Sequence, residues 1–380
     1  MENSTTDSIT INNVFYDAKN LRILCQEKLA SAETLAYEKP IYSFLQDWIN
    51  PEITAFTVFT SGSTGTPKAI KITKTQMIAS ANQTGNYFSL KKNDTALLCL
   101  SAEKIAGKMM LVRSLVLGLN LFIFEKIKDI PLTLKNPIKF AAFTPMQLSQ
   151  IFLFGQEYAH SFFKQFSAII VGGSEVNYAL KQQILGIKSA QIYQTFGMTE
   201  TVSHVALKPL NNSKPNGYEY ELLPSIDAGI DERGCIWIAG AVTNDQKIFS
   251  NDLVRFSGEK TFEWLGRTDN VVNSGGIKIL TEMLQEKLSE IIFCNPEIFA
   301  DLAGKKYFFA GVPHPVFGEA LVLAVEADFV NEPKTIEALK PFLDKYEVPK
   351  KIICMQPFDV LANDKIDKRQ VLKKLSNFTF

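Results

Sequence analysis

Residues that mark disulfide frameworks and structural metal sites are scarce in this sequence. It holds 5 cysteines and 3 histidines in 380 residues, and the cysteines are widely spaced, at Cys25, Cys99, Cys235, Cys294 and Cys354. The sequence contains no C-x-x-C pair and no cluster of Cys and His. This pattern argues against zinc and against a disulfide framework, and it is typical of reduced thiols in a cytosol.

Net charge and long apolar runs are also missing. The 40 basic residues balance the 40 acidic ones, for a formal net charge of +0. Nothing in this balance favours nucleic acid or an anionic membrane as a constitutive partner. No apolar run approaches the ~20 residues of a membrane span, and residues 1–13 are polar without an apolar signal core. We therefore expect a cytoplasmic protein with no membrane span.

The rest of the composition, 46% hydrophobic and 21% charged, is that of an ordinary globular protein of two or three domains. Short apolar runs at residues 119–124, 140–143 and 168–171 are separated by helical segments. This alternation predicts βα units and a largely parallel sheet. Residues 211–240 carry Gly, Pro and Asn between short strands and indicate a small β-rich subdomain. The expected fold class is α/β.

A loop rich in hydroxyl groups follows a predicted strand at residues 53–59. Residues 60–68 hold five Ser or Thr, two Gly, one Pro and one Lys. Glycines allow the backbone close to a ligand, and successive N–H groups with hydroxyls and a lysine can cradle an anion. A plain polar loop is the alternative, but the density of hydroxyls favours phosphate binding. The predicted phosphate-binding residues are Thr60, Ser61, Gly62, Ser63, Thr64, Gly65 and Lys68.

This loop is not a Walker A loop, which needs G-x-x-x-x-G-K-[ST]. Counted from Gly62, the positions of the second Gly, the Lys and the hydroxyl hold Pro67, Lys68 and Ala69. Proline has no N–H to offer, and no hydroxyl follows Lys68 to hold magnesium. A helix is predicted after the loop, where Thr73 and Gln76 have the spacing of a capping box.

The loop resembles the Ser/Thr/Gly-rich loop of the AMP-forming acyl-adenylate enzymes, which include acyl-CoA synthetases, carrier-protein adenylation domains and luciferases. Residues 191–200 resemble the aromatic-Gly-x-Thr-Glu signature of the same family. The resemblance implies that Phe196 stacks on adenine and that Thr199 donates to the α-phosphate. Glu200, a hard oxygen ligand, would then hold Mg²⁺. Taken alone, the stretch also fits a strand and turn with a surface Glu.

Further segments match this family in order along the chain. The glycines after the strand at 168–171 lie where α/β sheets bind ligands. The resemblance places Gly173, Ser174 and Glu175 against the adenine. Residues 250–253 resemble its T-G-D-L motif, with Asn251 where the family has Gly. Asparagine tolerates a positive φ better than most residues. By the same resemblance, Asp252 and Arg267 bind the ribose and phosphate, and Asp269 is the hinge of a mobile C-terminal domain.

A candidate acid pocket lies on the helical stretch 101–115. Lys108 and Arg113 are five residues apart, so about 140° separates them around a helix and one of them is expected to face inward. A solvated charge is the alternative for either. Ser203 and His204 follow the second motif, and His204 also fits a satisfied core histidine. The segments 105–113 and 198–208 resemble o-succinylbenzoate–CoA ligases.

The last third of the chain resembles the family's smaller C-terminal α+β domain. The expected division is 1–266 for binding ATP and acid and 267–380 for the mobile domain. The resemblance implies that Gly275 and Gly276 line the tunnel for CoA and that Lys365 is the catalytic lysine. Lys365 alone would be taken as a surface lysine, and Asp364 stands before it where the family has Gly.

The resemblance implies an AMP-forming acid–CoA ligase that uses ATP, Mg²⁺ and CoA on a small carboxylic acid, with o-succinylbenzoate of menaquinone synthesis as the favoured acid. Two alternatives remain. One is an enzyme that loads a carrier-protein thiol, and the other is a non-catalytic nucleotide-binding relative. The phosphate loop comes earlier here than is usual in the family. This implies a shortened N-terminal subdomain, with a smaller sheet or a homodimer partner in compensation.

Overall fold

The computed structural model describes residues 7–59, 68–211, 219–360 and 366–375. The first elements are β1 (Ile9–Ile11), β2 (Val14–Tyr16), α1 (Ala18–Ala30), α2 (Lys39–Trp48), β3 (Ala55–Phe59), β4 (Ala69–Thr73), α3 (Lys74–Tyr87), β5 (Thr95–Leu98), α4 (Ile105–Leu117) and β6 (Asn120–Ile123). They are followed by β7 (Ile138–Phe143), α5 (Pro145–Leu153), α6 (Gln156–Phe163), β8 (Phe166–Val171), α7 (Tyr178–Leu185), β9 (Gln191–Gly197) and β10 (His204–Pro209). The predicted alternation of strands and helices is confirmed.

The middle of the chain is mostly strand. Its elements are β11 (Tyr220–Leu222), β12 (Asp227–Ile230), β13 (Cys235–Ala239), β14 (Ile248–Phe256) and β15 (Thr261–Arg267). The last part contains β16 (Val271–Ser274), β17 (Ile277–Leu280), α8 (Thr281–Cys294), β18 (Tyr307–His314), β19 (Gly318–Glu326), α9 (Glu332–Leu339), β20 (Lys351–Met355) and α10 (Lys368–Leu375).

One 13-stranded sheet organises the larger part of the molecule, with the strand order β12-β13-β14-β15-β11-β10-β9-β8-β7-β5-β6-β1-β2. Strands β8, β7, β5 and β6 run parallel with β9 and β1, whereas β10 to β15 pair antiparallel. The prediction of a largely parallel sheet is therefore confirmed for the half of the sheet that runs from β9 to β1. The expected β-rich region at 211–240 contains β11 to β13, and these strands continue the main sheet.

Helices cover both faces of the parallel half, which explains why strands such as β5 are buried along their whole length. Helices α1 to α4 pack on one face and α5 to α7 on the other, each over its own hydrophobic core. The predicted capping box starts α3: Thr73 Oγ1 accepts from Gln76 N at 3.2 Å, and Gln76 Oε1 accepts from Thr73 N at 3.0 Å.

A smaller sheet forms the core of the C-terminal part, with the order β17-β16-β19-β18 and β20 beside β19. Helices α8 and α9 cover one of its faces and α10 the other. The large sheet ends at Arg267 and the small one begins at Val271, so the two are joined by the single turn Thr268–Asn270. Within the described ranges, no helix is long and apolar enough to cross a membrane.

Candidate functional site

The carboxyl ends of β8 and β9 form the first edge of the candidate site. Thr195 Oγ1 donates to the carbonyl of Val171 at 3.1 Å and joins the two strand ends. A Cβ on Gly172 would lie 2.4 Å from that hydroxyl, so only glycine fits this approach. Gly173 then turns the chain with φ +92°, and Ser174 and Glu175 follow on the exposed surface. The three residues predicted to border the adenine therefore lie at the edge where α/β sheets bind ligands.

The turn after β9 is tightly built. A Cβ on Gly197 would lie 2.3 Å from the carbonyl oxygen of Ser203, so the turn requires glycine. Thr201 Oγ1 accepts from Met198 N at 3.0 Å and lies 2.9 Å from the Ser203 carbonyl. Val202 is fully buried at φ +67°, a strained conformation for a β-branched residue. Such strain persists where the surroundings fix the backbone, and here the turn presents Thr199 and Glu200, both half-buried.

Phe196 packs into an aromatic cluster. Its ring centroid lies 5.2 Å from that of Phe262 and 5.6 Å from that of Tyr220. The ring remains half-buried, which fixes its orientation at the strand end. Stacking on adenine stays a prediction.

The predicted ribose residues are neighbours across β14 and β15, where Asp252 is paired with Arg267. Their closest side-chain atoms, Oδ2 and Nη1, lie 3.8 Å apart. Trp264 was missed by sequence reasoning, yet its Nε1–H donates to Asp252 Oδ1 at 3.0 Å. Arg267 Nη2 also donates to the predicted hinge residue Asp269 at 2.7 Å. One arginine therefore contacts both carboxylates.

The pKa of Asp269 lies below its usual value. Burial of the carboxyl acts to raise this pKa. Hydrogen bonds from Arg267 and Asn251, together with the charge of Arg267, lower it by more than burial raises it. Asn251 itself lies in extended β14 and is not among the described residues with positive φ. The asparagine is therefore not needed here for its tolerance of a positive φ.

A polar network fills the core between α3, α4 and the start of β10. Arg113 is 2% exposed, and its Nη2 donates to Ser203 Oγ at 3.2 Å while its Nε donates to Thr84 Oγ1 at 3.2 Å. Thr84 gives its only proton to the carbonyl of Ser80 at 3.0 Å. His204 Nε2, 3.4 Å from Thr84 Oγ1, must therefore be the donor in that contact.

Burial lowers the pKa of Arg113 to about 9, which leaves the guanidinium charged at neutral pH. Burial and the charge of Arg113 both hold the pKa of His204 well below its usual value, so His204 is neutral. Arg113 Nη1 also lies 3.6 Å from Met110 Sδ, and the guanidinium carbon lies 5.7 Å from the centroid of the Phe140 ring. No carboxylate of a described residue pairs with this buried cation.

Lys108 lies on another side of α4. Its Nζ is 5.9 Å from the ring centroid of Phe44 on α2, and burial lowers its pKa although Asp47 and Glu103 act to raise it. Of the two basic residues, Arg113 is the one that meets Ser203 and His204. Ser80 and Thr84 were missed by sequence reasoning, because hydroxyls on a helix give no sign of which neighbour they face.

Residues 60–67 and Lys365, which were predicted to bind phosphate and to act in catalysis, fall outside the described ranges. Lys68, directly before β4, is exposed. Gly275 and Gly276 form the two-residue turn between β16 and β17, with φ +61° and +84°. Both φ values fit a type I′ hairpin turn. Their role toward CoA stays a prediction.

Comparison with known proteins gives the context of this geometry. A family model described as AMP-binding enzyme matches residues 5–230. The D-alanine–D-alanyl carrier protein ligase of Lacticaseibacillus rhamnosus is 24% identical, over 89% of this chain and 74% of its own length. The 2-succinylbenzoate–CoA ligase of Staphylococcus epidermidis is also 24% identical, over 85% of this chain and 70% of its own length.

A solved structure is more similar in sequence. It is an acyl-CoA synthetase (AMP-forming)/AMP-acid ligase II-like protein from Dyadobacter fermentans, 36% identical, with a TM-score of 0.58. The match covers 93% of this chain and 98% of that one.

Proposed function

Because the chain belongs to the AMP-binding enzyme family and is an AMP-forming acid–thiol ligase, we propose that it joins o-succinylbenzoate to CoA. The choice of acid rests on one observation about Arg113. Its guanidinium is buried and charged, and no carboxylate of a described residue pairs with it. An unpaired buried charge is costly, and an anionic ligand offsets that cost. A dicarboxylate supplies one carboxylate for the reaction and a second for Arg113.

The same residue argues against D-alanine, the acid named for one group of relatives. D-alanine carries an ammonium group beside its carboxylate. Placed near Arg113, this ammonium would meet a like charge in a site shielded from water, where repulsion is strong. His204 is neutral and offers no compensating negative charge.

In the proposed first step, the acid's carboxylate attacks the α-phosphorus of ATP. A new O–P bond forms, the bond between the α- and β-phosphates breaks, and pyrophosphate leaves with the electron pair. Thr199 would donate to the α-phosphate. Asp252, held by Trp264, would accept from the ribose hydroxyls. Lys68 and the loop before it would bind the β- and γ-phosphates, and Lys365 would neutralise charge at the reacting groups.

Glu200 fits a magnesium site. Mg²⁺ in nucleotide enzymes is held by one or two carboxylates together with phosphate oxygens. Glu200 is half-buried on the same turn as Thr199. Bound there, the ion would supply positive charge to the phosphates.

In the second step, the CoA thiol gives its proton to solvent and its sulfur attacks the carbonyl carbon of the adenylate. A C–S bond forms, the C–O bond to AMP breaks, and AMP leaves with the electron pair. We propose that the C-terminal domain turns about Asp269 between the steps, so that Gly275 and Gly276 line the path of CoA. The single turn at Thr268–Asn270 between the two sheets supports this placement of the hinge.

Pyrophosphate release from ATP, measured over an acid panel with and without CoA, tests the function. The panel contains o-succinylbenzoate, benzoate, succinate and D-alanine, and reactions without acid give the background. We expect release with o-succinylbenzoate and a thioester when CoA is present. Release with D-alanine alone would overturn the proposed acid.

The runner-up is loading of a carrier-protein thiol, favoured by the carrier-protein ligases among the relatives. It differs from the first proposal only in the thiol. If adenylate forms but CoA gives no thioester, while a carrier protein bearing phosphopantetheine does, this second function replaces the first.

We also expect Trp264→Phe to raise KM for ATP about three- to tenfold. The change removes the indole N–H that holds Asp252 Oδ1, and a hydrogen bond to a charged group contributes roughly 1.5–3 kcal/mol when buried, less when half-exposed. Trp237→Phe is the matched control, because that indole packs on Gly229 of β12 and on Lys247, directly before β14, and not on Asp252. Steady-state kinetics in ATP check this, and equal KM values in the two variants would contradict it.

A further inference from the structure

Asn251 occupies the position where the family's T-G-D-L motif has Gly, and it makes contacts that glycine lacks. Its Nδ2 donates to Asp269 Oδ1 at 3.1 Å and lies 3.4 Å from Oδ2. Its Oδ1 accepts from Arg233 Nη1 at 2.9 Å. An arginine only donates and a carboxylate only accepts, so these partners fix the orientation of the amide.

The asparagine is itself firmly held. Arg233 donates to one oxygen of Asp231, Oδ2, from Nε at 2.9 Å and from Nη2 at 2.7 Å. Its Nη2 also donates to the carbonyl of Ser250 at 2.9 Å. The Asn251 amide is therefore anchored to the turn between β12 and β13, on the large sheet, and reaches from there to Asp269.

Asp269 lies in the turn that connects the two sheets, and the turn is coupled to the C-terminal part. The Asn270 side chain donates to Glu282 Oε1, and Thr281 Oγ1 donates to the Asn270 carbonyl at 2.9 Å. Both partners stand at the start of α8. A restraint on Asp269 therefore acts on the orientation of α8 and the sheet below it.

We propose that Asn251 is a positioning residue that ties the hinge carboxylate Asp269 to the large sheet and holds the C-terminal domain in the observed orientation. The inference rests on the proposed function, in which the domain turns about Asp269 between two half-reactions. Among the described residues, Arg267 also donates to Asp269 and the charge of Arg369 acts on it, so loss of Asn251 removes the contact that joins Asp269 to the turn between β12 and β13. Loss of Asn251 therefore shifts the equilibrium between the two orientations of the C-terminal domain.

The orientation is measured by the distance between two spin labels, one on each domain. Cys294 is exposed at the end of α8 and Glu157 is exposed on α6. The protein for labelling carries Glu157→Cys and Cys354→Ser, with Asn251 either intact or changed. We expect Asn251→Gly to increase the minor distance population about five- to tenfold, the effect of losing one hydrogen bond to a partly exposed charge.

Two variants make the measurement specific. Arg255→Met removes the exposed ion pair with Glu263 on the same two strands, β14 and β15, and should leave the distances unchanged. Asn251→Asp places a carboxylate against Asp269 and should shift the population in the same direction as Asn251→Gly. Identical distance distributions for wild type and both Asn251 variants would overturn the proposal.

The second readout is the ratio of the half-reactions. With o-succinylbenzoate, acid-dependent exchange of pyrophosphate into ATP reports the first step, and a single turnover of preformed adenylate with CoA reports the second. We expect Asn251→Gly to change the ratio of the two rates about five- to tenfold. Equal losses in both steps with unchanged distances would mean that Asn251 is merely structural.

If wild type shows no exchange with any acid, the proposed function fails. The spin-label distances use no substrate, so they still decide whether Asn251 restrains the domain.

Discussion

Replacing Arg113 by methionine should raise KM for o-succinylbenzoate about 100-fold or more. Breaking a buried charge pair by removing one partner costs about 3–5 kcal/mol, and each 1.4 kcal/mol is a factor of ten. Methionine keeps most of the side-chain volume, so the loss reports charge and hydrogen bonds. For benzoate, which has no second carboxylate to pair with Arg113, we expect a change of less than about threefold. Steady-state kinetics with both acids measure this difference.

Lys108→Met is the control for that variant. Lys108 lies on the same helix with a lowered pKa, but its ammonium faces the Phe44 ring and not Ser203. We expect KM for both acids to stay within about twofold of wild type. An equal rise in KM for benzoate and o-succinylbenzoate in Arg113→Met would contradict recognition of a second carboxylate. A gain in activity of Arg113→Met toward D-alanine would support the repulsion between Arg113 and the ammonium group of D-alanine.

The second large effect is expected from Gly197→Ala. The added Cβ would lie 2.3 Å from the Ser203 carbonyl oxygen and 2.7 Å from His204 Cα. Both are backbone atoms, so β10 has to shift, and Ser203 holds Arg113 through its hydroxyl. Overpacking of this kind typically costs about 1–3 kcal/mol. We expect a loss of stability in that range and a drop in pyrophosphate exchange of more than tenfold.

Urea unfolding and the exchange assay check this expectation together. Gly186→Ala is the matched control, because its nearest neighbour is one helix carbonyl at 3.3 Å and its φ is −68°. It should change the unfolding free energy by less than about 1 kcal/mol. If Gly197→Ala unfolds at the same urea concentration as wild type and keeps its exchange rate, the close approach of β9 and β10 is not required for function.

The sequence by itself determined the class of protein and the local structure around the motifs. Periodic apolar runs fixed the βα alternation, and Thr73 with Gln76 fixed the start of α3. Gly197 at the end of β9 is required by the approach of the Ser203 carbonyl oxygen, six residues on in the chain. These features are set by residues close together in the chain. Local propensity and spacing are therefore enough to predict them.

Only the tertiary structure decided the contacts that join distant segments. Sequence spacing showed that Lys108 and Arg113 face different ways, but the packing of α4 against α3 and β10 selected Arg113. Trp264 lies opposite Val254, and its indole reaches Asp252 on the same strand because β14 and β15 pair antiparallel. Asn251 reaches Asp269 because β14 pairs with β15 and the turn after β15 brings Asp269 back beside β14. Strand register and helix packing decide which side chains meet. Arg113 can therefore be interpreted as a candidate for binding an anion only when its neighbours in the folded structure are known.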